Sequence, residues 1–238
     1  MKTSHSLSMV FPAYNEQDNL DRLVRDADAV GIKIFGDDYE IIVVDDGSKD
    51  NTPTVLKNLQ KEFPKLVVYT HSPNKGYTAA LRTGFTNAKK SLIFFSDSDN
   101  QFDLNEIPLL LNHIDTHDIV VGYRNPRVDP WFRLFVSRCF NIFSHAVFKF
   151  PVRDIDCAFK LFRREVFDKI TITSENFMVD TEIMAKAVFY QMRITEVGVT
   201  HLPRRAGQTT VRPSDVFKTL RGMWMLRKQL QDMKKAAR

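Results

Sequence analysis

The chain is short of cysteine, glycine and long apolar runs, and each shortage excludes something. Only Cys139 and Cys157 are present, at a spacing that fits no zinc motif, and both stand among apolar residues. They read as buried free thiols of a reducing cytosol, and a disulfide scaffold is excluded. Nine glycines in 238 residues leave no room for a long flexible linker. No uninterrupted run of about 18 apolar residues occurs, so no helix is expected to span a bilayer. The opening residues Met1 to Ser6 lack the apolar core of a signal peptide. No Gly-x-Gly-x-x-Gly follows the first apolar run, which argues against a dinucleotide-dependent oxidoreductase. The expected location is cytoplasmic, or peripheral on the cytosolic face of a membrane.

What is present suits one large domain, or one domain with an appendage. The hydrophobic content of 43% is ample for a core, and the net charge of +5 fits an anionic partner. By charge alone that partner is a nucleic acid, a nucleotide or an acidic membrane surface.

Three apolar runs end in polar, functional-looking residues. Leu92 to Phe95 runs into Ser96-Asp97-Ser98-Asp99-Asn100-Gln101. In an extended chain, carboxylates at i and i+2 lie on one side. Paired hard oxygen ligands suit Mg²⁺ or Mn²⁺, which often complete their shell with substrate phosphates. A solvated acidic loop would show the same pair. Ile41 to Val44 ends in Asp45-Asp46-Gly47-Ser48, and Leu7 to Phe11 ends in Pro12-Ala13-Tyr14-Asn15-Glu16. In open parallel α/β sheets ligands gather at the carboxyl ends of strands, so three such endings point to one site.

The rest of the pattern alternates strand and helix. Strands are expected at 7–11, 40–45, 66–70, 92–96, 118–121, 159–162 and 193–199, and helices at 16–30, 51–63, 77–89, 105–114 and 181–190. Repeated βα units of this size predict an α/β fold: a Rossmann-like, mostly parallel central sheet with helices on both faces. Residues 131–150 crowd seven aromatic rings among Arg133, Arg138 and Lys149, as a core helix or a helix lying in a membrane interface would. The tail from 214 places Val216, Leu220, Met223, Leu226, Leu230 and Met233 on one stripe with lysines and arginines around it. Such a basic amphipathic helix packs on its own domain, on a partner or on anionic lipid. The expected division is a domain over 1–212 and a C-terminal helix over 213–238.

Read together, these residues resemble a family 2 glycosyltransferase of the GT-A fold, and within it the dolichyl-phosphate mannose synthase-like branch that glycosylates polyprenyl phosphates. The matches are Pro12-Ala13-Tyr14-Asn15-Glu16 with the family's P-x-Y-N-E, Val44-Asp45-Asp46-Gly47-Ser48 with V-D-D-G-S, and Asp97-Ser98-Asp99-Asn100-Gln101 with D-A-D-x-Q. Gly122-Tyr123-Arg124 matches G-x-R. Asp154 to Lys160 resembles D-x-x-x-G-F-[KR], with Ala158 in place of the glycine, and Arg204 to Gly207 resembles R-x-x-G.

The resemblance implies a metal-dependent hexosyltransferase that inverts the anomeric centre. Pro12, Tyr14, Glu16, Asp45, Asp46 and Asp97 would line the nucleotide pocket, and Lys75 would touch a phosphate, although a solvated loop lysine explains Lys75 as well. Asp97, Asp99 and Gln101 would hold Mg²⁺ or Mn²⁺, Gln101 alternatively being a turn residue. Arg124, Arg138 and Arg204 would meet an acceptor phosphate, Arg138 alternatively being a helix-surface arginine. Asp97, Asp99, Arg124 and Asp154 form the expected catalytic set. The implied partners are a GDP- or UDP-linked sugar, a polyprenyl phosphate, the membrane surface and a membrane-embedded subunit, but no nucleic acid. Two rival readings stay open. In one, a soluble sugar or protein hydroxyl is the acceptor, with a base drawn from Asp154, Asp156, Asp180 and Glu182. In the other, the chain binds a nucleotide sugar without catalysis. A receiver-type module is a poor fit, because its acidic pair would follow the first strand rather than the second.

Overall fold

Seven strands form a single sheet in the order β3-β2-β1-β4-β6-β5-β7. They are β1 (Leu7–Ala13), β2 (Tyr39–Asp45), β3 (Leu66–Thr70), β4 (Leu92–Ser96), β5 (Ile119–Arg124), β6 (Phe159–Arg163) and β7 (Ile194–Val199). The helices are α1 (Leu20–Phe35), α2 (Thr52–Glu62), α3 (Tyr77–Asn87), α4 (Ile107–Ile114), α5 (Trp131–Phe148), α6 (Val166–Lys169), α7 (Val179–Phe189) and α8 (Asp215–Ala236). This computed structural model describes residues 4–126, 131–174, 178–203 and 215–236, without the side chains of 131–136, 139, 215–220 and 236.

The alternation of apolar residues along each strand builds two cores. Met9 and Phe11 of β1, Ile41 and Val43 of β2, and Phe94 of β4 face α1, α2 and α4. Their neighbours Val10, Ile42, Val44, Ile93 and Phe95 face α3 and α7 on the opposite side. Successive side chains on a strand point to opposite faces, so strands buried on both sides read as continuous apolar runs. The expected mostly parallel α/β sheet is what forms. One strand runs the other way: β6 pairs antiparallel with both β4 and β5. Its entry end, Phe159, therefore lies beside Ser96 at the exit end of β4. That reversal brings residues 153–160 to the same edge of the sheet as the exits of β1, β2, β4 and β5.

Some boundaries differ from expectation for local reasons. The first helix begins at Leu20 rather than 16, because Asn15 takes a left-handed φ of 57° and Glu16 donates its amide to Thr52 Oγ1 at 2.9 Å. It also runs on to Phe35, burying Val30, Ile34 and Phe35. The helix expected at 105–114 starts as a 3-10 turn over Leu104–Glu106, where the Asp103 side chain accepts from the Asn105 amide.

Three residues of the C-terminal stripe face inward. Met223 and Leu226 of α8 are buried in the second core, with Leu230 packed against it, and Ser144 of α5 touches Met223. Val216 and Leu220 lie outside the described side chains. The exposed face of α8 instead carries Trp224 and Met225 beside Arg221 and Lys228. On α5 the described rings Phe140 and Phe148 pack inward, while Ile142 and Phe143 are exposed. Among the described residues no helix is long and apolar enough to cross a membrane.

Candidate active site

The loops after β1 and β2 are stitched together by side chains acting on backbone. Ser48 Oγ accepts from the Asn15 amide at 2.9 Å, and Asn15 Oδ1 accepts from the Lys49 amide at 2.8 Å. Glu16 accepts from the Asn19 amide group through its carboxylate at 2.6 Å. Pro12 is buried within β1, and Tyr14 is half-buried just beyond it. Asp45, the last residue of β2, is fully buried. Its Oδ1 accepts from the Ser48 amide at 3.0 Å, whereas Oδ2 has no hydrogen-bond partner. A buried carboxylate oxygen without a donor is costly, so this atom fits a ligand N–H or O–H.

Asp46 is engaged differently. Its carboxylate accepts from the Lys75 and Gly76 amides at 2.9 and 2.7 Å and meets His71 Nδ1 at 2.6 Å. Asn74 Nδ2 donates to the Asp46 carbonyl. The carboxylate thus shapes the 71–76 loop, which leaves little of it for a nucleotide. Gly47 sits against that loop with φ of +72°, and a Cβ there would lie 2.8 Å from the Asn74 nitrogen. Only glycine serves both demands. Lys75 is exposed, with its amide committed to Asp46.

The Asp97–Gln101 loop is tied to this assembly. Ser98 Oγ donates to the Pro12 carbonyl at 2.7 Å, and Asn100 Nδ2 donates to the Asn19 carbonyl at 3.0 Å. Burial and the neighbouring Asp99 push the Asp97 carboxyl up to about 7, with Tyr77 Oη donating to it at 2.9 Å. Asp99 accepts from the Gln101 amide at 3.2 Å. Gln101 Nε2 in turn faces the Leu202 carbonyl at 3.1 Å and His201 Nε2 at 3.3 Å. A half-buried Asp97 whose proton affinity is raised by burial and by the buried Asp99 beside it fits a divalent cation, which removes the repulsion. Among the described residues no three His, Cys, Asp or Glu side chains form a ready cage. Such an ion would therefore take its remaining ligands from an amide oxygen, water and a diphosphate, as Mg²⁺ and Mn²⁺ do.

The β5 and β6 side of the edge is cationic at its rim and acidic within. Arg124 makes a two-pronged pair with Asp154, through Nε and Nη2 at 2.7 Å each. A cleft of about 580 Å³ is lined by Tyr123, Arg124, Arg138, Ile142, Arg153 and Asp154, among others. Arg153 stacks 4.4 Å from the Tyr123 ring centre and pairs with Glu196. Behind the rim, buried Lys160 donates to Asp180 at 2.5 Å and to the Cys157 carbonyl at 2.6 Å. Burial, then Asp180 and Asp154, push the Asp156 carboxyl up to about 7.

The expected second acidic group thus divides. Asp180 and Asp154 bear on Asp156, but Glu182 is turned away to hold the Thr173 and Ser174 amides at 2.8 Å and Lys186 Nζ at 2.5 Å. Two positions apart on α7, residues 180 and 182 point to different sides of the helix. Arg204 lies outside the described residues. Sequence reasoning missed His201, Tyr77 and Arg153 and assigned no task to Lys160. Each works through a partner at least 20 positions away in the chain, a separation that no local spacing reveals.

Residues 8–171 match the family model described as glycosyl transferase family 2. The chain belongs to that family. It is 32% identical over 207 residues to the undecaprenyl-phosphate 4-deoxy-4-formamido-L-arabinose transferases of Enterobacter sp. (strain 638) and Pseudomonas fluorescens (strain SBW25). The match covers 86% of this chain and 62% and 60% of those proteins, so the chain spans about three-fifths of their length. Among solved structures it resembles glucosyl-3-phosphoglycerate synthase from Mycobacterium tuberculosis. With Mn²⁺, UDP-glucose and phosphoglyceric acid bound, that enzyme superposes at a TM-score of 0.72 and 17% identity, over 94% of this chain and 80% of that one. Its complex with Mn²⁺, UDP and glucosyl-3-phosphoglycerate gives 0.68 and 18%, over 95% and 77%. At that identity the likeness establishes a shared fold, which agrees with the GT-A architecture.

Proposed function

We propose that this family 2 member transfers a sugar from a nucleoside diphosphate to a polyprenyl phosphate at a membrane surface, with inversion. The observation that carries the acceptor is the cleft where Arg124, Arg138 and Arg153 meet exposed Ile142 of α5. Arginines recognise phosphate oxygens by geometry as well as charge. An exposed apolar helix beside them offers a path for a lipid tail. The curated relatives, by their names, use undecaprenyl phosphate.

On the donor side, Asp45 Oδ2 accepts a hydrogen bond from the base or ribose, and Pro12, Tyr14 and Glu16 wall that pocket. Asp97, Asp99 and Gln101 are the residues that would hold a divalent cation. When bound, the cation supplies positive charge to the departing diphosphate. Arg124 is oriented by Asp154 toward the acceptor, with Arg138 and Arg204 as further phosphate contacts. A phosphate monoester has a second pKa near 6, so its oxygen is already largely ionised at neutral pH and no general base is required. Attack in line with the leaving diphosphate inverts the anomeric carbon.

Membrane contact is supported by Ile142 and Phe143 of α5 and by Trp224 and Met225 of α8, with basic residues beside them. Each basic side chain near anionic lipid contributes on the order of 1 kcal/mol. The test combines flotation on anionic liposomes with an assay of UDP- and GDP-sugars and Mn²⁺, comparing undecaprenyl phosphate with soluble sugar acceptors. Sugar should pass to the lipid phosphate, and the protein should float. Efficient transfer to a soluble hydroxyl without liposome binding would overturn the proposal in favour of the hydroxyl-acceptor reading.

A further inference from the structure

We propose that Asp156 is a specificity-determining residue: its carboxylate accepts a hydrogen bond from a hydroxyl of the transferred sugar. This rests on the two ends of the site as read above, with the donor diphosphate at Asp97 and Asp99 and the acceptor phosphate at Arg124.

The place follows from the reaction and from the charges around the residue. In-line displacement sets the anomeric carbon between the leaving diphosphate oxygen and the attacking phosphate oxygen. The sugar ring therefore rests on the wall between Asp97 and Arg124. Residues 153–160 supply part of that wall, because β6 runs antiparallel and enters the sheet beside Ser96. A charge shifts a carboxyl appreciably only from close by. Besides burial, the Asp156 carboxyl feels Asp180, Asp154, Lys160 and Arg124. Asp97, after burial, Asp99 and Tyr77, feels Asp180 and Lys160 as well. Asp180 and Lys160 are thus neighbours of both carboxyls, and Asp156 stands between the Arg124 end and the Asp97 end.

The three carboxylates of this wall differ in what they hold. Asp154 takes both prongs of Arg124 at 2.7 Å, and Asp180 takes the Lys160 ammonium at 2.5 Å. The half-buried Asp156 carboxylate has neither a hydrogen bond nor an ion pair among the described residues. Its backbone is nevertheless fixed on both sides. Ile155 is buried in the second core and Cys157 in the first, and Lys160 Nζ grips the Cys157 carbonyl at 2.6 Å. An acceptor withdrawn from water without a donor is costly, and two like charges nearby add to that cost. A donor without negative charge relieves both. A sugar ring presents hydroxyl donors, whereas the phosphates on either side of it would be repelled. A site built to bond a substrate hydroxyl strongly rejects the analogue that lacks it.

The experiment measures binding of UDP, GDP and a panel of UDP- and GDP-hexoses to the full chain with Mn²⁺, and transfer to undecaprenyl phosphate. It is repeated with monodeoxy analogues of the donor that the wild type binds best. Asp156→Ala should bind that donor about tenfold more weakly, and UDP or GDP alone as the wild type does. One monodeoxy analogue should bind the wild type about tenfold more weakly than its parent and lose nothing further in Asp156→Ala. Asp156→Asn keeps an oxygen acceptor, so it should recover part of the loss and melt no lower than the wild type. A lower melting temperature in Asp156→Asn, an equal loss for the nucleotide without its sugar, or a further loss for every deoxy analogue would overturn the inference and leave both ends of the site standing. Wild-type donor affinity in Asp156→Ala would overturn it too, and turnover lost at that affinity would assign Asp156 to proton removal from a hydroxyl acceptor. Absence of any sugar-nucleotide binding by the wild type would overturn the donor reading and this inference with it.

Discussion

Removing one carboxylate from the Asp97–Asp99 pair should make the metal-free protein more stable, by an amount that grows as the pH rises from about 4 to 7. Asp97 is raised from an ordinary value of 3.8 to about 7, by burial first and by Asp99 second. The sign follows directly. The native state holds the Asp97 proton more tightly than the unfolded chain, so a neutral Asp97 favours folding below pH 3.8. That advantage is lost as the pH rises through 7, and above it the native state carries the full penalty of the ionised group. At about 1.4 kcal/mol per pH unit, the penalty has a ceiling of roughly 4 kcal/mol. Asp97 is partly exposed, and solvent screening reduces this to about 2 kcal/mol. Asp97→Asn keeps an oxygen for Tyr77 Oη and removes the charge. Melting in EDTA should therefore rise about 4–8 °C in the variant at pH 8. The gain should shrink as the pH falls, to about half at pH 5.5, where the unfolded chain is still ionised, and vanish below about 3.8. Added Mn²⁺ with nucleotide should stabilise the wild type and leave Asp97→Asn little changed. A variant less stable than wild type at pH 8 in EDTA, or a gain that does not depend on pH, would refute the argument that these carboxylates repel one another.

Two further predictions concern residues that hold the site in shape. Asp46→Ala removes the acceptor for the Lys75 and Gly76 amides and for His71, so it should cost about 3 kcal/mol. Faster hydrogen exchange at Lys75 and Gly76 would report the loosened loop, and unchanged exchange would exclude this role. Lys160→Met leaves Asp180 without its buried cation and should destabilise by about 3–5 kcal/mol in urea unfolding. Adding Asp180→Leu should recover most of that loss; a double variant as unstable as the single one would show that lost packing, not the stranded charge, is responsible.

The α/β architecture was legible because its strands are buried on both faces. β1, β2 and β4 read as unbroken apolar runs, and each ends in the polar residues that a carboxyl-edge site requires. Asp45 and the Asp97/Asp99 pair were visible for the same reason, since their spacing is a property of one extended segment. Direction and partnership were not legible. The sequence of β6 looks like that of any other buried strand, yet it runs antiparallel, and this alone carries Asp154, Asp156 and Lys160 to the edge where Asp97 lies. The two aspartates at the end of β2 are neighbours in the chain, but only the folded structure separates them: Asp45 keeps a buried oxygen without a partner, while Asp46 holds the loop at 71–76. The stripe on α8 likewise showed an apolar face without showing what covers it, and for Met223, Leu226 and Leu230 the answer was the protein's own second core. A sequence records periodicity, which sets which residues share a face. What each face meets depends on contacts between segments far apart in the chain, as between Gln101 and His201, and only the tertiary structure decides those.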